Sequence, residues 1–174
     1  MNIISVVVGI MILFVSLRAG SDSDPVEYDY NYARNLMRLE RIITCDANKK
    51  PSEAIKLVEA LGGISVLSSS SANYVDYHLP NPLKILGIPV TSFSIHRFPA
   101  HKLSAYDEYS TVLRGEPLAI IASRGDMLPV HKGEYVKKIQ GRYLVLRSEA
   151  GLDTLTCITY HKQPWWQRLH KLLL

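Results

Sequence analysis

Ile88-Pro89-Val90-Thr91-Ser92-Phe93-Ser94-Ile95-His96-Arg97-Phe98 is the stretch in which the period of the chain changes. Thr91, Phe93 and Ile95 alternate with Val90, Ser92, Ser94 and His96, a period of two that suits a pleated strand and no helix. The stretch predicts one long strand, with Pro89 tolerated near its start, where a missing N–H costs little. Pro99-Ala100-His101-Lys102 ends it.

Downstream the same period recurs. A turn or short helical piece at residues 104–108 leads to a strand at 109–114. After Gly115-Glu116, Pro117 opens Leu118-Ala119-Ile120-Ile121-Ala122, which reads as a strand buried on both sides. Arg124-Gly125-Asp126 reads as a turn, and its match to an integrin-type tripeptide carries no weight because Gly-Asp is ordinary turn chemistry. Strands follow at 134–139, 142–148 and 154–160, with Gln140-Gly141 and Ala150-Gly151 as hairpin turns.

Upstream the period is helical. In residues 30–45, Tyr32, Leu36, Leu39 and Ile43 fall on one face, and Arg34, Arg38 and Arg41 on others. A second helix begins at Pro51-Ser52-Glu53, carries Ala54, Ile55, Val58 and Leu61 as its apolar stripe, and stops at Gly62-Gly63. A four-serine run, 68–71, precedes residues 73–82, whose two prolines and absent helical period predict an extended connector.

Two helices followed by strands predict an α+β fold: two N-terminal helices packed on one face of a four- to five-stranded antiparallel sheet, the other face open. The order of elements is similar to that of small periplasmic domains of the β-lactamase-inhibitor and outer-membrane-assembly-lipoprotein type, with no diagnostic motif shared. Such an analogy bears on architecture and says little of function.

With 174 residues, 47% apolar and 21% charged, the chain is neither disordered nor a polytopic membrane protein. Its net charge of +4 is held by no single stretch, and nucleic acid is not expected as a partner. Residues 3–17 form one apolar run, about 22 Å as a helix and short of a ~30 Å bilayer core, followed by Ala19-Gly20 and the polar Ser21-Asp22-Ser23-Asp24. That pattern predicts a signal peptide over residues 1–20, or an uncleaved anchor, ahead of one domain at 21–162. Export to the periplasm or beyond is expected. The two cysteines, Cys45 and Cys157, are then expected to form a disulfide tying the first helix to the last strand.

Residues 163–174 predict a short C-terminal amphipathic helix with Pro164 at its first position. Trp165, Trp166, Leu169, Leu172 and Leu173 gather within an arc of about 120°, a face suited to the domain's own core, a membrane or a partner.

No phosphate loop, dinucleotide fingerprint, nucleophile elbow or zinc-ligand spacing occurs, and neither cofactor nor metal is expected. His96, His101 and Asp107 are the nearest approach to a catalytic cluster, which would make the chain a secreted hydrolase. The ten tyrosines favour binding, because tyrosine brings large rigid area at small entropic cost. The function expected is a non-catalytic envelope protein, an inhibitor or immunity protein that binds a secreted enzyme or toxin. Tyr74, Tyr77, Tyr106, Tyr109 and Arg114 are the candidate contacts. The alternative is an envelope assembly factor held at the membrane by either terminus.

Overall fold

The computed structural model describes residues 25–66, 73–98, 105–149 and 151–161. The chain divides into two compact units, Met1–Asn31 and Tyr32–Leu174. Of the first unit only residues 25–31, the start of a helix, are described; the core and the sheet belong to the second. The predicted signal segment and the C-terminal helix with Trp165, Trp166, Leu169, Leu172 and Leu173 lie outside the described residues. Among those residues no helix is long and apolar enough to cross a membrane.

The architecture is α+β, with three helices and one eight-stranded antiparallel sheet among the described residues. This corrects the expectation of two helices on four or five strands. The helices are α1 (Pro25–Ile43), α2 (Pro51–Ala60) and α3 (Leu118–Arg124). The strands are β1 (Ile64–Ser65), β2 (Tyr74–Ile85), β3 (Ile88–Phe98), β4 (Tyr106–Leu113), β5 (Leu128–His131), β6 (Glu134–Ile139), β7 (Arg142–Glu149) and β8 (Leu152–Tyr160). Their order in the sheet is β1-β2-β3-β4-β8-β7-β6-β5. Two meanders therefore meet at the β4–β8 pair, the contact that closes the sheet across the longest sequence distance.

The expected connector at 73–82 is part of β2. Its prolines do not exclude a strand, because they sit where the ladder is interrupted: the register shifts between His78 and Leu83, and Pro80, Asn81 and Pro82 are exposed. The irregularity also alters β3. Val90 and Phe93 are both buried while Thr91 is exposed, so the strict alternation predicted across this stretch breaks at Thr91.

Leu118–Arg124, expected to begin as a strand, is helical. A five-residue apolar run is ambiguous between the two states. Here Pro117 stands at the N-cap, only Ile121 and Ala122 are buried within the helix, and Ile120 remains 47% exposed. Residues 106–108, expected as turn or helix, belong to β4.

The helices end alike. After α2, Gly62 takes φ +77°, its N–H reaches Glu59 O at 2.9 Å and that of Gly63 reaches Val58 O at 2.9 Å. This double bond satisfies carbonyls the helix leaves open. After α3, Asp126 (φ +49°) and Met127 bond Ser123 O and Ala122 O in the same pattern. After α1 the left-handed position is Cys45, at φ +63°.

The core lies between the helices and one face of the sheet. Leu39, Ile42 and Ile43 of α1, Ala54 and Val58 of α2 and Ile121 of α3 pack with Phe93, Ile95, Tyr109, Leu144, Leu146 and Leu155. The expected disulfide is present: Cys45 and Cys157 are bridged with Cα atoms 5.3 Å apart, fixing the end of α1 to the central strand β8.

Candidate functional site

All three helices contribute to the core on one face of the sheet, and among the described residues no helix lies over the other. Register assigns side chains to that uncovered face. Tyr74 is opposite His96, Phe98 opposite Tyr106, and Tyr106 opposite Tyr160, while Tyr143 faces Ile158. The result is a continuous aromatic row. Centroids are 5.0 Å apart for Tyr74–His96, 3.8 Å for His96–Phe98 and 4.2 Å for Phe98–Tyr106. The row continues through Tyr106–Tyr160 at 5.6 Å and Tyr143–Tyr160 at 5.9 Å. Lys138 Nζ closes the far end, 5.9 Å over the Tyr143 ring.

These rings belong to β2, β3, β4, β8 and β7, with the cation supplied by β6. Only Tyr160, at 47%, is an exposed large ring; the others are half-buried by one another. Aromatic pairs of this kind, edge-to-face, tilted or stacked, stabilise a sheet by roughly 0.5–1.5 kcal/mol each. Their packing also decides what the surface can recognise. The rings meet edge-to-face, tilted and, for Phe98–Tyr106, stacked, and the row carries the phenol hydroxyls of Tyr106, Tyr143 and Tyr160 besides that of Tyr74, which is engaged by Asp76 and Ser94. Burial raises the Tyr74 phenol, followed by its hydrogen bond to Asp76, and burial and then Glu108 raise Tyr106. Both stay protonated donors through the physiological range.

The sequence-predicted contacts divide. Tyr74 and Tyr106 stand in the row. Tyr77 and Tyr109 occupy the opposite face, 6% and 2% exposed, as members of the core. The Tyr109 hydroxyl donates to Lys49 O at 2.6 Å and so ties β4 to the turn before α2. In this structure both rings are core members, on the side of the sheet opposite the row. Arg114 is exposed just past the end of β4, away from the row. Phe98, Tyr143, Tyr160 and Lys138 are the members sequence reasoning missed. Each sits on an alternating strand, but the β4–β8 pairing that unites them is not local.

The His96–His101–Asp107 grouping does not form as expected. His96 pairs with Glu108 on the uncovered face, whereas Asp107 is on the core side and 4% exposed; His101 lies outside the described residues. Asp107 instead meets His161, with Nε2 2.7 Å from Oδ2, and Arg97 Nε at 3.7 Å from Oδ1. A cavity of about 320 Å³ beside them is bordered by Lys50, Pro51 and Ser52. Among the described residues no hydroxyl or thiol hydrogen-bonds His161, so an aspartate-oriented imidazole is present without an attached nucleophile. No three His, Cys, Asp or Glu side chains among the described residues gather as metal ligands.

No protein-family model, no curated protein and no solved structure matches the chain.

Proposed function

We propose that this chain is an exported, non-catalytic binding protein of the bacterial envelope, an inhibitor or immunity protein that holds a secreted enzyme or toxin against the uncovered face of its sheet. The observation that carries this reading is the aromatic row from Tyr74 to Tyr143 on a face without a covering helix among the described residues. Tyrosine-rich, rigid and laterally packed surfaces supply hot spots of protein interfaces, where single truncations cost 2 kcal/mol or more, about thirtyfold in affinity. The Cys45–Cys157 bridge supports an oxidising compartment, as does the apolar run at residues 3–17.

Two measurements test it. Intact mass of the chain exported by a bacterial host is expected to start near residue 20 and to show alkylatable thiols only after reduction. A mass retaining Met1, or free thiols without reductant, removes the export reading. For binding, the oxidised protein is used as bait on envelope extracts beside a Tyr106→Ala/Tyr160→Ala variant, whose Tm falls with the lost ring contacts but stays above the assay temperature. A stoichiometric complex that silences the captured enzyme or toxin, and that the variant forms at least thirtyfold more weakly, is expected. Equal capture by both proteins, or no stoichiometric complex, overturns the reading.

A further inference from the structure

Away from the sheet's uncovered face, α1 and α2 enclose a trough of about 610 Å³. Its floor is apolar: Ile42 from α1, Ala47 from the connecting turn, Leu57 and Ala60 from α2. Its walls are cationic. Arg38 and Arg41 line it from α1, Lys49 from the connecting turn and Lys56 from α2, against a single acid, Glu53. That acid is already engaged by Lys49, at 2.9 Å, and its carboxyl is held below the ordinary range by this contact. Arg38, Arg41 and Lys56 are exposed and make no ion pair among the described residues. Four cations thus gather around one apolar groove in a chain whose whole net charge is +4.

We infer that this trough is a second binding site, and that its occupant is an acidic amphipathic helix of a partner protein. Charge complementarity sets the sign of the occupant: unpaired cations on both walls attract and align carboxylates on both flanks of a ligand. The apolar floor requires that the ligand also carry an apolar stripe. The alanines at 47 and 60 leave room for close approach along α2, which is about 15 Å long and matches about three turns of helix. The trough is half-open to solvent. A helix laid in such a groove brings its own polar back to water. The site shares no residue with the aromatic row and stands or falls independently of it.

The probe is a side-chain-stapled helix of about 14 residues with leucine at i, i+3, i+4 and i+7, glutamate on the two flanks of that stripe and alanine at the back, titrated into the oxidised full chain by fluorescence anisotropy. Saturable binding is expected, at least tenfold weaker for the same peptide with glutamine in place of glutamate. It is expected to weaken at least tenfold again as sodium chloride rises from about 0.05 to 0.5 M. Arg38→Glu/Lys56→Glu, both at exposed positions and so folded with unchanged Tm, is expected to lose at least tenfold. Equal affinity for the two peptides, no binding of the acidic peptide at 100 μM, or an undiminished double variant each overturns the inference. Tighter binding to phosphatidylglycerol vesicles or to a short DNA duplex, lost in the same variant, also overturns it by reassigning the cations to another class of anion.

Discussion

Along β4, successive residues answer to different environments. Asp107, Tyr109, Thr111 and Leu113 are buried under the helices, whereas Tyr106, Glu108, Ser110 and Val112 are half-buried on a face no described helix covers. One strand with one period of two makes both surfaces. On the helix side, cover comes from residues far away in sequence, with α1 pinned by the bridge from Cys45 to Cys157. On the other side, the rings cover each other. The first arrangement stores most of the stability; the second leaves half-buried rings at the surface.

The largest test of this contrast is the disulfide. Its sequence separation is 112 residues, and removing such a constraint with Cys45→Ala/Cys157→Ala is expected to cost about 4–5 kcal/mol in the chain-entropy picture, read as a lower denaturant midpoint. A loss under 1 kcal/mol would mean that α1 is held by packing alone.

Next comes a matched pair on β3. Phe93, fully buried, should cost about 3–5 kcal/mol as Phe93→Ala. Phe98→Ala, on the uncovered face of the same strand, should cost about 1 kcal/mol. Equal losses would show the uncovered face to be as structural as the core.

Smaller still is Tyr109→Phe, which removes the hydroxyl bond to Lys49 O and should cost about 1 kcal/mol at neutral pH. Its pH dependence is the sharper readout. Burial first, then the nearby Asp107 carboxylate, holds the Tyr109 phenol far above its ordinary value. The folded state therefore keeps this proton more tightly than the unfolded chain, whose phenols titrate near pH 10. The stabilisation is complete below about pH 10 and is lost as pH rises beyond it, so denaturant midpoints between about pH 9 and 11 should fall less steeply in the variant.

How far these features are legible in the sequence depends on how local their causes are. The helical stripe of Leu36, Leu39 and Ile43 and the glycine stop at 62–63 are local, and both helices can be read from them. The cysteine pairing is legible because only two cysteines exist. Residues 73–82 hide a strand, because Pro80 and Pro82 look prohibitive until a partner strand shows the ladder to be interrupted there. Leu118–Arg124 hides a helix, because a short apolar run carries no period of its own. Tyr74 and Tyr77 are the same residue type three positions apart on one strand, and so face opposite ways. Alternation orders side chains relative to one another; only packing says which face is covered.

The basic trough has the same lesson in charge. Arg38 and Arg41 on one helix, and Lys49 and Lys56 around the next, form no run in the sequence, and a reading by stretches finds no concentrated cation. What the sequence by itself determined was the α+β class, the first two helices, the hairpin turns at 140–141 and 150–151 and the bridge between Cys45 and Cys157, because propensity, period and residue count act locally or without alternatives. Only the tertiary structure decided the eight-stranded order, the burial of Tyr77 and Tyr109, the aromatic row and the cationic trough. Each of these depends on the β4–β8 pairing or on helix–helix packing, contacts whose free energy belongs to residues distant along the chain.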